Sequence, residues 1–154
     1  MRLRVFSIAA KAPDWIEQGW KTYAQRMPAH LSLELKVIPP AQRSKNQAIE
    51  KIQHLEADKL KQAANGCTWV ALHERGQQLT TFQMAERMRD WQQQGRDVAF
   101  FIGGADGLHA GLLNQSEQLA MGKLTMPHHL VRVVLAEQLY RAYTVNIGHP
   151  YHRQ

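Results

Sequence analysis

A single cysteine, Cys67, is all the thiol chemistry in this chain. An internal disulfide is excluded, and such sparing use of cysteine points to a reducing compartment. Cys67 lies between Gly66 and Trp69 with no sign of an activating partner, so it reads as a small core or edge residue. No apolar run approaches the ~20 residues of a membrane helix. The apolar start, Val5 to Ala10, is interrupted by Lys11 too soon for a signal peptide, and a cytoplasmic protein is expected. There is no Gly-x-Ser-x-Gly elbow and no convincing nucleophile triad. Repeats, low-complexity tracts and dividing linkers are missing too, and 154 residues can bury a real core, so one domain over 1–154 is expected.

The chain does carry positive charge. Lysine and arginine number 19 against 13 acidic residues, giving a net charge of +6 and a pI near 9.7. A polyanionic partner follows, with nucleic acid the first candidate and a merely basic surface the plain alternative. Hydrophobic content of 44% and charged content of 21% are ordinary for a soluble globular protein.

Periodicity orders the elements. Arg4 to Ala9 reads as a strand. Asp14 is placed to cap a helix in which Ile16, Trp20, Tyr23 and Met27 recur at helical spacing, with Pro28 as its stop. Leu31, Leu33, Leu35 and Val37 alternate with polar residues, the period of a half-buried strand closed by Pro39-Pro40. A basic link, Gln42-Arg43-Ser44-Lys45-Asn46, leads to a helix over about 47–64 with Ile49, Ile52, Leu55 and Leu60 inward and Gly66 as its stop. Thr68 to Leu72 is a short strand, followed by a loop at His73-Glu74-Arg75-Gly76. Thr80 and Gln83 form a capping box ahead of a helix lined by Met84, Met88 and Trp91 and ended by Gly95. The continuous apolar run Val98 to Ile102 is expected of a strand covered on both faces. Leu108 to about Gln118 reads as helix and Leu119 to Met126 as a last strand. Pro127 then opens a long helix that buries Leu130, Val131, Val134, Leu135 and Leu139.

This alternation predicts an α/β fold, a mostly parallel sheet with helices on both faces. Ligands in such sheets sit beyond the carboxyl ends of the strands. Three loops are thereby grouped as candidates: Leu72-His73-Glu74, Gly103 to Gly107, and Gly122 to Pro127. The Gly103-Gly104-x-x-Gly107 loop lacks the dinucleotide spacing and no phosphate loop follows it, so alone it is a tight turn or a backbone approach to a ligand. His128-His129 and His149-x-x-His152 raise a metal site. Pro150 interrupts the second pair and no cysteine or carboxylate cluster joins them, so no metal is expected. Glu137 and Arg141 are spaced for an ion pair on one helix face. Arg132 and Arg141 need not share a face, and each can be a solvated charge or half of an ion pair. The tail His149-Pro150-Tyr151-His152-Arg153-Gln154 is rich in groups that stack on bases, bind phosphate or move a proton.

Several separated motifs, in order, resemble one family. They are Phe101-Ile102-Gly103-Gly104-Ala105-Asp106-Gly107, Leu124-Thr125-Met126-Pro127-His128, Leu130-Val131-Arg132-Val133 with Glu137 to Ala142, and His149 to Arg153. Lys11-Ala12-Pro13-Asp14-Trp15 and Arg43-Ser44-Lys45-Asn46 fit as well. Together they resemble the H-type ribosomal large-subunit RNA methyltransferases of the SPOUT class, over essentially the whole chain. The resemblance implies a homodimer whose carboxyl third is threaded as a trefoil knot. It implies S-adenosylmethionine held in the knot by Leu72, Gly104 and the run Gly122-Lys123-Leu124-Thr125-Met126-Pro127. Gly122-Lys123 stands where relatives carry a Ser-Ala or Ser-Lys type pair, a change that backbone contacts tolerate. The implied reaction is methylation of N3 of a pseudouridine in 23S rRNA on the assembled ribosome. That imide nitrogen must lose its proton, and a base or a cationic setting for the imidate accelerates this. His152 and Arg153, with Tyr151 positioning the base and Arg141 and Glu137 in support, are expected to form that setting. Two rivals, a non-enzymatic basic ribosome-binding module and a basic ribonuclease using His128, His149 or His152, need neither Gly104 nor the 124–127 run.

Overall fold

The computed structural model describes residues 1–44 and 46–153; Lys45 of the basic link and the terminal Gln154 lie outside them. Strands β1 (Arg2–Ile8), β2 (Ser32–Ile38), β3 (Thr68–Gln78), β4 (Val98–Ile102) and β5 (Glu117–Ala120) alternate with helices α1 (Asp14–Ala24), α2 (Ile49–Ala63), α3 (Thr81–Gln94), α4 (Ala110–Asn114) and α5 (His128–Ile147). The five strands form one sheet in the order β2-β1-β4-β3-β5, and every pairing is parallel.

The two-residue period of the strands sorts the core. Leu3 and Val5 of β1 and Phe100 and Ile102 of β4 face α1, α3 and α5, where they meet Trp20, Met88, Trp91 and Leu135. Phe6, Ile8 and Phe101 point the other way, onto Ala57 and Leu60 of α2 and Leu112 of α4. Helices therefore cover both faces, and β4 is buried at every residue, as its unbroken apolar run predicts. The Thr80–Gln83 capping box forms with both reciprocal bonds, and Gly95 closes α3 in the left-handed conformation.

Five local expectations change. The strand expected over 68–72 continues to Gln78. Leu72 and Gln77 both pair with Leu119, so His73 to Gly76 swell out of the ladder as a bulge rather than ending it. Gly76 crosses Leu119 closely enough that a Cβ there would lie 2.6 Å from the Leu119 nitrogen. The helix expected over 108–118 is only Ala110–Asn114, and the last strand begins at Glu117. That strand does not reach Met126: Ala120 pairs with Gln78, where β3 ends, so residues 121–127 have no ladder to join. In α2 the inward face is Ile52, Glu56, Ala57 and Leu60, whereas Ile49 and Leu55 are exposed. Glu56 is tolerated there because its carboxylate accepts the Ala41 backbone N–H at 3.0 Å. Finally, Asp14 is the first helical residue rather than the cap, which is Pro13, and α1 ends at Ala24 before the chain turns at Pro28.

Helix α5 packs against α1 and α3 and touches β1 and β4. It is apolar around much of its circumference, the pattern of a helix set into a core rather than on it. Among the described residues no helix is long and apolar enough to cross a membrane.

Candidate functional site

The three candidate loops converge. A cleft of about 560 Å³ opens at the β3 bulge and beyond the carboxyl end of β4, within the size range of small-molecule sites. Leu72, His73 and Glu74 line it from the β3 bulge, Gly103 to Gly107 from the end of β4, and Gly122, Leu124, Thr125, Met126 and Pro127 from the segment after β5. Lys123 sits in that segment but is exposed and is not among the lining residues.

The glycine loop is built for close approach. It folds back so that the Gly107 N–H donates to the Gly104 carbonyl at 3.0 Å. A Cβ on Gly103 would stand 2.8 Å from the Gly107 carbonyl carbon, and one on Gly104 would stand 3.0 Å from Ile8 Cγ2. Asp106 anchors the loop. Its carboxylate pairs with the Arg43 guanidinium, and its carbonyl accepts from Gln53 Nε2 at 2.6 Å. Across the cleft, the peptide groups of 122–127 make no backbone bond among the described residues except Pro127 O, which accepts from Val131 N at 3.1 Å. Unbonded peptide donors and acceptors in this run, beside the apolar Leu72, Leu119, Met121 and Val131, give the cleft the mixed apolar and polar lining of a small-molecule site.

The tail residues gather elsewhere. After Gly148 caps α5, residues Pro150–Arg153 form a 3-10 turn that folds back along the helix. Glu137 Oε1 accepts from Arg141 Nε and Nη2 at 2.9 and 2.6 Å and from the Tyr151 hydroxyl at 3.0 Å, while Gln138 Nε2 donates to Oε2 at 2.6 Å. The Tyr151 ring stacks edge-on against Tyr140 at 4.7 Å and lies under the Arg141 guanidinium at 5.0 Å. Burial, and then the hydrogen bond to Glu137, push the Tyr151 phenol up to about 12. Arg141's own hydrogen bonds to Glu137 raise the guanidinium pKa. His152 meets Phe82 edge-on at 6.3 Å, and its Nδ1 is buried without a partner among the described residues. Arg153 is exposed.

The expected cofactor residues therefore come together, and so do Glu137, Arg141 and Tyr151, but the two groups are apart. Glu137 lies about 13 Å along α5 from His128, at a rise of ~1.5 Å per residue. Two polar side chains join the site that the sequence did not single out for it. Gln53 of α2 and His128 at the start of α5 line the cleft. Arg132, one turn along α5 from His128 and outside the cleft lining, is neither solvated nor, among the described residues, in an ion pair: it is 1% exposed, its Nη2 reaches Ser7 Oγ at 3.5 Å, and its Nε has no partner among those residues. Burial lowers its pKa, with the Glu17 charge opposing. One arginine inside Leu130-Val131-Arg132-Val133-Val134-Leu135 was the available signal. Among the described residues no group of histidine, cysteine and carboxylate side chains could hold a metal ion.

A parallel α/β sheet with a cleft of this kind at its strand ends defines the class of α/β proteins built to hold a small ligand or cofactor there. The comparisons narrow this class. Residues 1–152 match the family model described as "Predicted SPOUT methyltransferase". Proteins named "Ribosomal RNA large subunit methyltransferase H" from Methylobacillus flagellatus and Ralstonia pickettii are 45% and 47% identical, the first over 100% of both chains and the second over 99% of both. The crystal structure of a methylase family protein from Neisseria gonorrhoeae shares the fold, with a TM-score of 0.54 at 15% identity over 90% of this chain and 81% of that one. The chain belongs to the SPOUT methyltransferase family.

Proposed function

We propose that this chain transfers a methyl group from S-adenosylmethionine to N3 of a pseudouridine in 23S rRNA, acting on the assembled ribosome in the cytoplasm. The names of its full-length relatives support the large-subunit rRNA substrate. The observation that carries the reading is the cleft, which gathers Leu72, the Gly103–Gly107 loop and most of the 122–127 run in one place.

Leu72, Gly104 and the run from Gly122 to Pro127 would hold the cofactor, the run through its free peptide groups, with Lys123 contributing backbone alone. When bound, the cofactor supplies an electrophilic methyl on a sulfonium, so the protein chiefly orients the nucleophile and manages charge. Tyr151 stays a neutral phenol at any ordinary pH and, fixed by Glu137 and Arg141, holds the tail in place. Arg153 is exposed and free to face an RNA anion, and His152 lies beside it.

In this reading the working unit is a homodimer of single-domain chains. The separation between tail and cleft along α5 supports it, because no described residue of the chain's own tail lines the cleft and a partner's tail would be free to complete it. The carboxyl third is threaded as a trefoil knot. The return of α5 from edge strand β5 to pack against α1, β1 and β4 supports that path.

Calorimetric titration with S-adenosylmethionine tests the cleft, and one site per dimer would indicate unequal pockets. Methyl transfer to undermethylated ribosomes, compared with free rRNA, tests the substrate. Equal rates on both would refute the ribosome requirement. Arg153→Ala should abolish transfer and leave cofactor binding intact.

A further inference from the structure

We propose that His128 is a catalytic residue of the methyl-transfer reaction, the group that accepts the proton from the RNA imide nitrogen. The inference rests on the function proposed above and names the base for that site.

Position is the first argument. The titratable side chains lining the cleft are His73, Glu74, Asp106 and His128. Asp106 is committed to Arg43, and the Nδ1 atom of His73 accepts the Arg75 backbone N–H at 3.3 Å. Glu74 rides on the exposed crest of the β3 bulge. His128 stands instead on the first turn of a 20-residue helix, directly after the 122–127 run. A rigid element is where a base of fixed geometry belongs.

Protonation state is the second. An imidazole can accept a proton only if it is neutral, and three features behind His128 oppose the imidazolium. It sits at the positive end of the α5 dipole, and among the described residues no side chain caps that helix end. His129 packs edge-on at 4.4 Å between ring centroids, with its Nε2 buried and unpartnered among the described residues. The buried Arg132 guanidinium lies one turn further along, with no carboxylate hydrogen-bonded to it among the described residues; Glu17 of α1 is the acidic group that acts on it. Burial first, then His129 and Arg132, lower the His128 pKa from its ordinary 6.5. A lone buried arginine otherwise costs stability, so a charge placed to hold a neighbouring imidazole neutral gives Arg132 a role that packing does not.

The step balances. The N3 proton passes to a ring nitrogen of His128, and the freed N3 pair forms the new bond to carbon. The sulfur–methyl bond breaks, the sulfonium leaves as a neutral thioether, and His128 releases its proton to water. A tail arginine that stabilises the imidate and a histidine that takes the proton are complementary, not competing.

The test uses the full-length dimer and undermethylated ribosomes in single-turnover methyl transfer across pH 5 to 9, with His128→Gln beside the unaltered protein. The unaltered protein should lose rate as pH falls through the His128 value, since the protonated ring cannot act. His128→Gln should be slower by about 10²-fold or more and should lack that acid limb. His128→Ala should regain rate on addition of free imidazole. Calorimetry should show the same S-adenosylmethionine affinity in both variants. In the free protein, NMR should show one imidazole, absent from His128→Gln, titrating below 6.5. An unchanged rate, a slowed rate that keeps its acid limb, no rescue by imidazole, or lost cofactor affinity would each overturn the assignment. If the unaltered protein binds cofactor and transfers nothing to any ribosomal substrate, the functional reading falls with it.

Discussion

Glu137 is the residue on which the tail hangs, so Glu137→Gln is the most informative single change. The carboxylate receives Arg141, Gln138 and Tyr151, and the Glu137 and Arg141 side chains are only 16% and 19% exposed. A hydrogen bond to a charged group contributes roughly 1.5–3 kcal/mol. Glutamine keeps one acceptor oxygen but turns its amide toward donors. A net loss of about 2 kcal/mol follows, roughly a 30-fold shift toward an undocked tail. The Tyr151 phenol reports the change directly. Its folded pKa is raised above 10 to about 12, so the folded state holds this proton more tightly than the unfolded chain. The associated stability is fully present below pH 10 and is lost as pH rises through about 12. In Glu137→Gln both burial and the hydrogen bond weaken, and the phenol should titrate back toward 10. The assay is phenolate absorbance against pH, taken as the difference between Glu137→Gln and the same protein carrying Tyr151→Phe. Methyl transfer should fall while cofactor affinity holds. A phenol still titrating near 12 in Glu137→Gln would refute the claim that this carboxylate docks the tail.

Other elements make equally definite predictions. Gly76→Ala would place a Cβ 2.6 Å from the Leu119 nitrogen, so β3 and β5 must part. Overpacking of this kind costs about 1–3 kcal/mol, and because Leu119 lines the cleft, cofactor affinity should weaken with stability. Denaturant melts that match the unaltered protein would show that the bulge is softer than its geometry implies. At the other end of the sheet, Asp97 receives the Arg2 backbone N–H at 2.8 Å and its Nε at 2.9 Å. Burial pushes its pKa up, but the Arg2 hydrogen bonds and charge more than reverse this, leaving it below 3.8. The stabilisation is present above 3.8 and lost as pH falls through the lowered value, so Asp97→Asn should flatten acid unfolding in that range. An unchanged acid transition would show that the pair contributes nothing net.

What the sequence made legible was whatever a single element decides for itself. The apolar run Val98 to Ile102, the Thr80–Gln83 capping box and the grouping of three loops beyond the strand ends all follow from local pattern plus one topological rule. The misreadings share a cause, because each needed a partner that the sequence does not name. Residues 121–126 read as the continuation of the strand that starts at Leu119, but β3 stops at Gln78 and leaves them nothing to pair with. His73 to Gly76 look like a loop, yet the strand resumes because Gln77 returns to Leu119. Ile49 and Leu55 look inward until the loop at Ala41 claims Glu56. In the site, the glycine loop and the 122–127 run were readable from motif. The burial of Arg132 was not, since it depends on α1, β1 and α5 closing around one side chain.

The position of β4 at the centre of the sheet sets a timetable for synthesis. β1 pairs on one side with β2, but its other edge stays open until Val98 to Ile102 arrive to meet Leu3 to Ser7. At about 5–20 residues per second, the ribosome leaves that apolar edge unpaired for roughly 5–20 seconds. During that interval Leu3 and Val5, wholly buried in the finished protein, have neither their neighbour strand nor the cover of α5. Folding must then be late and largely concerted, its rate governed by contacts about a hundred residues apart. A protein that methylates ribosomal RNA would thus complete its core only after its own last helix has emerged.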